Sequence, residues 1–189
     1  AIVRGLPRNN LSHEEFRLLS WGIGLRAGVA RPQGLASQYI AAVRDIGTNY
    51  RAANGRGYSS NAKLDFHVDG ADLTTLTCYN KAKSGGQSMI SSGVTAQRYL
   101  IKERPDLAET AREYFYFSRQ SEQADDETPF YGQPLFEEEN GQLFCKWNRN
   151  RVQSAQSLEG VPKLSSNQRE TIVVLDERLR RPELMYTMY

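Results

Sequence analysis

An antiparallel β-sandwich or jelly roll with helical insertions is the fold class that the sequence predicts, and three observations predict it. Short runs with strand-like alternation recur along the chain, while helical patterns are few and do not alternate regularly with them, which disfavours a doubly wound α/β sheet. Asn140-Gly141 lies between two such runs and is a strong signal for a tight antiparallel hairpin. No repeat, low-complexity tract or linker divides the 189 residues, a length that suits one domain with its own core. The chain is read as mainly β with helices (α+β), forming a single domain over residues 1–189.

The elements follow in order. Residues 1–6 read as a short strand closed by Pro7. Ser12 and Glu15 then form a capping box, in which each side chain satisfies a free N–H at a helix start. Phe16, Leu19 and Ile23 fall at helical spacing, and Gly28 supplies a stop. His13 sits in the first turn of that helix, where exposure is expected rather than a ligand role. Residues 30–62 are rich in Gly, Asn, Arg and Ser, with one short apolar run over 40–46, and read as a binding loop or as disorder.

Strand-like runs return at 64–68, 73–79 and 87–91. Two short helices, over 95–104 and 106–112, are split by Pro105, which cannot continue the first. Residues 114–118, 134–138 and 142–147 alternate as strands do, and the acidic stretch 122–127 between them reads as a solvated loop. Ser165 and Gln168 make a second capping box, with Ile172, Leu175 and Leu179 on one face of the helix they open. Pro182 ends that helix, and 185–189 reads as the start of one more strand.

Composition narrows the function classes. Twenty-four Lys and Arg against 22 Asp and Glu leave a net charge of +2, with acidic neighbours beside many arginines, as in Asp176-Glu177-Arg178. That balance gives no electrostatic reason for a nucleic-acid or anionic-membrane partner. No run of about 18 apolar residues could span a bilayer, and no secretory leader is recognisable at the first residues. Cys78 and Cys145 each fall in an apolar run and are expected as buried free thiols, which with the missing leader points to the cytoplasm.

The segment Leu64-Asp65-Phe66-His67-Val68-Asp69-Gly70 carries the chemistry. On a strand, side chains two apart share a face, so His67 and Asp69 converge on one point. Imidazole plus carboxylate supplies two members of a 2-His-1-carboxylate set, the ligand type of non-haem iron(II) oxygenases. Alone, His-x-Asp is weak evidence, because a histidine in a strand is more often a satisfied structural residue.

The surrounding motifs extend the pattern. Arg56-Gly57-Tyr58, residues 64–72 and Ala82-Lys83-Ser84-Gly85-Gly86-Gln87-Ser88 stand in order, followed by Arg104-Pro105-Asp106-Leu107, Pro129-Phe130-Tyr131, Asn148-Arg149 and Ser154-Ala155-Gln156. Together they resemble the taurine-dioxygenase-like (TauD/TfdA-type) family over nearly the whole chain. The resemblance implies a double-stranded β-helix (jelly roll), iron(II) as the metal, and 2-oxoglutarate and O2 as co-substrates. It implies His67 and Asp69 as iron ligands and Ser88 as the hydroxyl that bonds the 2-oxoglutarate carboxylate, although a strand hydroxyl bonded to neighbouring backbone explains Ser88 as well. The family's second histidine and its 2-oxoglutarate arginine follow further downstream. Here His13 is the only other histidine, and the chain is expected to be incomplete at both ends.

A small-molecule substrate is expected, with a homo-oligomer left open. Gln33, Tyr58 and Lys63 are substrate candidates by proximity in sequence, and Arg149 and Arg151 by charge. A catalytically inactive jelly-roll protein that binds a small ligand or a partner is the alternative, and the same fold using another metal is a further rival.

Overall fold

The structure is a computed structural model that describes residues 2–33, 38–50 and 57–188; Arg56, quoted above among the motifs, lies outside them. Contacts divide the chain into two units, residues 1–42 with 71–86 and residues 43–70 with 87–189.

The first unit is built on one helix. Ser12 Oγ accepts from the Glu15 N–H at 3.3 Å while the Glu15 carboxylate accepts from the Ser12 N–H at 2.8 Å, so the capping box forms as read. Helix α1 spans His13–Ala27 and ends at Gly28. Phe16 is its buried residue, against the ring of Tyr79 at 5.2 Å, whereas Ile23 is exposed. His13 is exposed as expected and meets the same tyrosine edge-on at 5.0 Å. The Arg8 guanidinium lies 4.4 Å from the Tyr79 ring centre, and its Nε donates to the Tyr79 carbonyl at 3.0 Å.

Two strands expected in this unit do not form. Residues 2–6 and 73–79 take no assigned strand, and Leu73 and Leu76 are exposed. A strand needs a neighbour to satisfy its N–H and C=O groups, and alternation in sequence does not supply one. Cys78, expected buried, is exposed in consequence.

The second unit holds the main core. Ser92 caps α2 (Gly93–Glu103), and Pro105 opens α3 (Pro105–Thr110) at a first-turn position where its missing N–H costs nothing. Ser165 and Gln168 form the second capping box, opening α5 (Ser166–Leu179). Ile172, Leu175 and Leu179 face inward, as their spacing requires. They pack in one cluster with Leu100, Leu107, Phe115 and Trp147. Each fully buried Leu contributes roughly 1.5–3 kcal/mol relative to exposure.

The strands among the described residues form three two-stranded antiparallel sheets. Strand β1 (Ser88–Ser91) pairs with β6 (Met185–Met188), with Ser88 opposite Met188. Strand β2 (Phe115–Ser118) pairs with β3 (Phe130–Gln133), an element read in the sequence only as a motif. Strands β4 (Phe136–Glu139) and β5 (Gln142–Cys145) form the expected hairpin. Asn140 and Gly141 both adopt left-handed backbone, φ 53° and 76°, as the tight turn between twisted strands demands. The acidic loop is not wholly solvated, because Glu122 accepts from Arg151 at 3.1 Å with both side chains about three-quarters buried.

The expectation of a mainly β chain is corrected to a mixed α and β one. Every strand among the described residues is four residues long, whereas α1 and α5 span 15 and 14. Part of the difference is α4 (Arg149–Ala155), a helix capped by Asn148 that the sequence reading had not assigned. No helix among the described residues is long and apolar enough to cross a membrane.

Candidate metal centre

The segment 64–70 does not form the extended strand expected of it. His67 makes one antiparallel bridge, to Asn148, and the Val68 N–H donates to the Trp147 carbonyl at 2.8 Å. Pairing cannot propagate beyond Asn148, because that residue is already the cap of α4 and its backbone turns into the helix. One bridge is enough to keep the two-residue alternation locally. His67 Nε2 lies 3.8 Å from Asp69 Oδ1, with the side chains 35% and 56% exposed.

The imidazole is oriented from its other side. His67 Nδ1 is 2.8 Å from the Asp65 main-chain carbonyl. A carbonyl oxygen only accepts, so Nδ1 carries a proton, and the other ring nitrogen, Nε2, is turned toward Asp69. This is the arrangement of a metal-ligating histidine, whose second nitrogen donates to a carbonyl or carboxylate.

Asp65 is itself anchored. Its carboxylate accepts from Arg180 Nη2 at 2.9 Å, and Arg180 also reaches Asp176 with Nε at 3.1 Å. The hydrogen bond to Asp176, with Asp65 adding, holds the Arg180 guanidinium above its ordinary range. Asp176 is buried and accepts from Arg149 Nη1 at 2.8 Å. Sequence reasoning missed this chain of charges, although the i, i+4 spacing of Asp176 and Arg180 on a helix was a legible part of it.

A cleft of about 250 Å³ opens beside His67. Phe66, Val68, Met89, Ile90 and Trp147 give it apolar walls, with Ser91 and Cys145 among its polar atoms. Burial pushes the Cys145 thiol up, so it stays protonated and is a poor ligand. Ser88 and Asp69 stand outside the walls, Ser88 half-buried at the start of β1.

The chemistry of the pair fits a divalent metal. A gap of 3.8 Å is shorter than twice a metal–ligand bond of about 2.1 Å, so one ion can touch both atoms. Among the described residues no third His, Cys, Asp or Glu joins them. The donor set is one neutral nitrogen and one carboxylate oxygen, without thiolate, which suits iron(II) better than a structural zinc.

The other sequence candidates are distributed as follows. Tyr58 and Lys63 are exposed in the same unit as His67. The Arg149 guanidinium is engaged by Asp176, and Arg151 by Glu122 with the Ser118 carbonyl at 3.5 Å. Gln33 belongs to the other unit, where it bridges Gln38 and donates from Nε2 to the Tyr39 carbonyl at 3.2 Å.

The chain is similar to known proteins. FR-33289 synthase of Streptomyces rubellomurinus is 30% identical over 189 residues, covering 97% of this chain and 54% of that protein. A taurine hydroxylase-like protein of Stachybotrys chartarum is 26% identical over 172 residues, covering 86% of this chain and 42% of its own length. The chain thus spans about half the length of the curated relatives it matches. Residues 1–189 match the family described as taurine catabolism dioxygenase TauD, TfdA family, end to end. With an oriented His-x-Asp pair at its candidate metal centre, the chain belongs to that family.

Proposed function

We propose that this chain carries the metal-binding part of a non-haem iron(II), 2-oxoglutarate-dependent dioxygenase that oxidises a small organic substrate. In this reading residues 1–189 are part of one jelly-roll dioxygenase domain. The carrying observation is the His67–Asp69 pair, with Nδ1 on the Asp65 carbonyl and Nε2 3.8 Å from the Asp69 carboxylate. Family membership supports the reading, as do relatives named as a synthase and a taurine hydroxylase-like protein.

The residues take these roles. His67 offers a neutral nitrogen through Nε2, and Asp69 a negative charge that offsets half of a divalent cation's. The Ser88 hydroxyl is assigned to donate to a carboxylate of 2-oxoglutarate. Iron(II) with 2-oxoglutarate and O2 supplies the oxidising power for the C–H bond, giving succinate and CO2 as co-products. Phe66, Val68 and Trp147 keep the His67 side of the site apolar, which strengthens charge interactions there. Tyr58 and Lys63 are assigned toward the substrate, with Arg149 and Arg151 as the charged candidates for an anionic group.

Anaerobic titration of the whole protein with iron(II) and 2-oxoglutarate tests the reading through the weak visible charge-transfer band of the chelate. The band is expected in the wild type and absent in His67→Ala. No band in a folded whole protein would sink the dioxygenase reading and favour a silent ligand-binding jelly roll. A band with manganese or cobalt that supports O2 uptake without iron would replace the metal.

A further inference from the structure

The contacts that orient His67 end far away in sequence, on α5. Two described contacts of Asp65 bear on the ring: its main-chain carbonyl takes the His67 Nδ1 proton, and its carboxylate takes Arg180 Nη2 at 2.9 Å. Arg180 is in turn pinned by Asp176, through Nε at 3.1 Å and Nη2 at 3.3 Å. A guanidinium forked across two carboxylates fixes direction as well as charge, which a single ammonium cannot do. The end of α5 is also tied to β1, where Ser91 Oγ donates to the Leu179 carbonyl at 2.8 Å. The anchor for Asp65 is therefore a rigid element, whereas the segment it anchors makes only a single β-bridge, at His67.

We infer that Arg180 is a positioning residue for His67. Acting through Asp65, it holds the imidazole with Nδ1–H on the Asp65 carbonyl and Nε2 turned toward Asp69. Its consequence for iron rests on the dioxygenase reading above, while its geometry stands without it. Losing Arg180 removes one of the contacts that fix Asp65 and so loosens the carbonyl on which the Nδ1–H rests.

The tautomer can be read directly by long-range 1H–15N correlation of the imidazoles in the whole protein, with His67→Gln identifying the His67 signals. The wild type is expected to show His67 predominantly as Nδ1–H. Arg180→Ala is expected to lose that preference and, in the whole protein, to weaken cobalt(II) affinity by roughly 10–100-fold, the usual scale for a lost outer-sphere partner. Arg180→Lys restores charge without the fork and is expected to restore stability but not the tautomer. Arg181→Ala, which breaks an ion pair with Glu103 on the same helix end, should leave the tautomer unchanged. An unchanged tautomer in folded Arg180→Ala, or a wild type already in the Nε2–H form, overturns the inference. Should Arg180→Ala fail to fold, Asp65→Asn is read by the same criterion. A tautomer shift alongside a wild type that binds no cobalt or iron would overturn the dioxygenase reading and leave the positioning role standing.

Discussion

Within the larger unit, the helical layer and the segment carrying the ligand pair are built differently. Leu100, Leu107, Phe115 and Leu175 are wholly excluded from solvent and touch one another in one cluster. In the segment 64–70 Phe66 packs against that cluster, and the side chains of the candidate ligands His67 and Asp69 remain 35% and 56% exposed. The first region is held by apolar burial, which is strong and non-directional. The second is held by a single bridge, a carbonyl and an ion pair, which are weak but fix orientation. Stability and metal binding are thereby assigned to different side chains and should separate under mutation.

The largest effect that tests this separation is on stability. Leu100→Ala should destabilise the protein by about 2–5 kcal/mol, through lost transfer energy and a cavity that neighbours only partly fill. His67→Ala should change stability by no more than about 0.5 kcal/mol, as at other exposed positions, while abolishing the iron chelate band. Urea unfolding of the two variants measures both. Similar losses of stability in the two would break the comparison and make the ligand segment part of the core.

The same contrast explains what could be read in the sequence. Both capping boxes, the Pro105 break and the Asn140-Gly141 turn were legible because each is satisfied within a few residues. Strand partners were not, since alternation at 73–79 says nothing about whether a neighbour exists. Strand β3 was missed for the converse reason, its partner β2 being set by tertiary pairing. At the site, period two brought His67 and Asp69 together on paper and does so in space. Arg180, which reaches Asp65 across 115 positions, left no local trace of that contact.

A smaller effect sharpens the comparison along α5 itself. Ser165→Ala removes the acceptor for the Gln168 N–H, now bonded at 3.1 Å, and should cost about 1 kcal/mol. The loss falls at the N-terminal end of the helix, while Arg180 caps the other. Thermal unfolding should therefore shift down while the His67 tautomer stays as in the wild type. A tautomer that moved with Ser165→Ala would mean that α5 transmits fraying along its length and is not the rigid anchor described.

The smallest effect concerns charge at that same far end. Glu103 accepts from Arg181 at 2.8 and 2.9 Å and pairs with Arg178 at 2.7 Å, and the Arg181 hydrogen bond above all holds its carboxyl below the ordinary value of 4.5. A carboxyl whose folded pKa is depressed stabilises the protein above the unfolded pKa, and that contribution is lost as pH falls through the folded one. The stability gap between wild type and Arg181→Ala should thus be constant above about pH 6 and close on acidification below about pH 4.5. Because both partners reach solvent, the gap is small and screened by salt. A gap that persisted unchanged to acid pH would show that Arg181 stabilises by packing on Tyr99, whose ring lies 4.7 Å away, rather than by its charge.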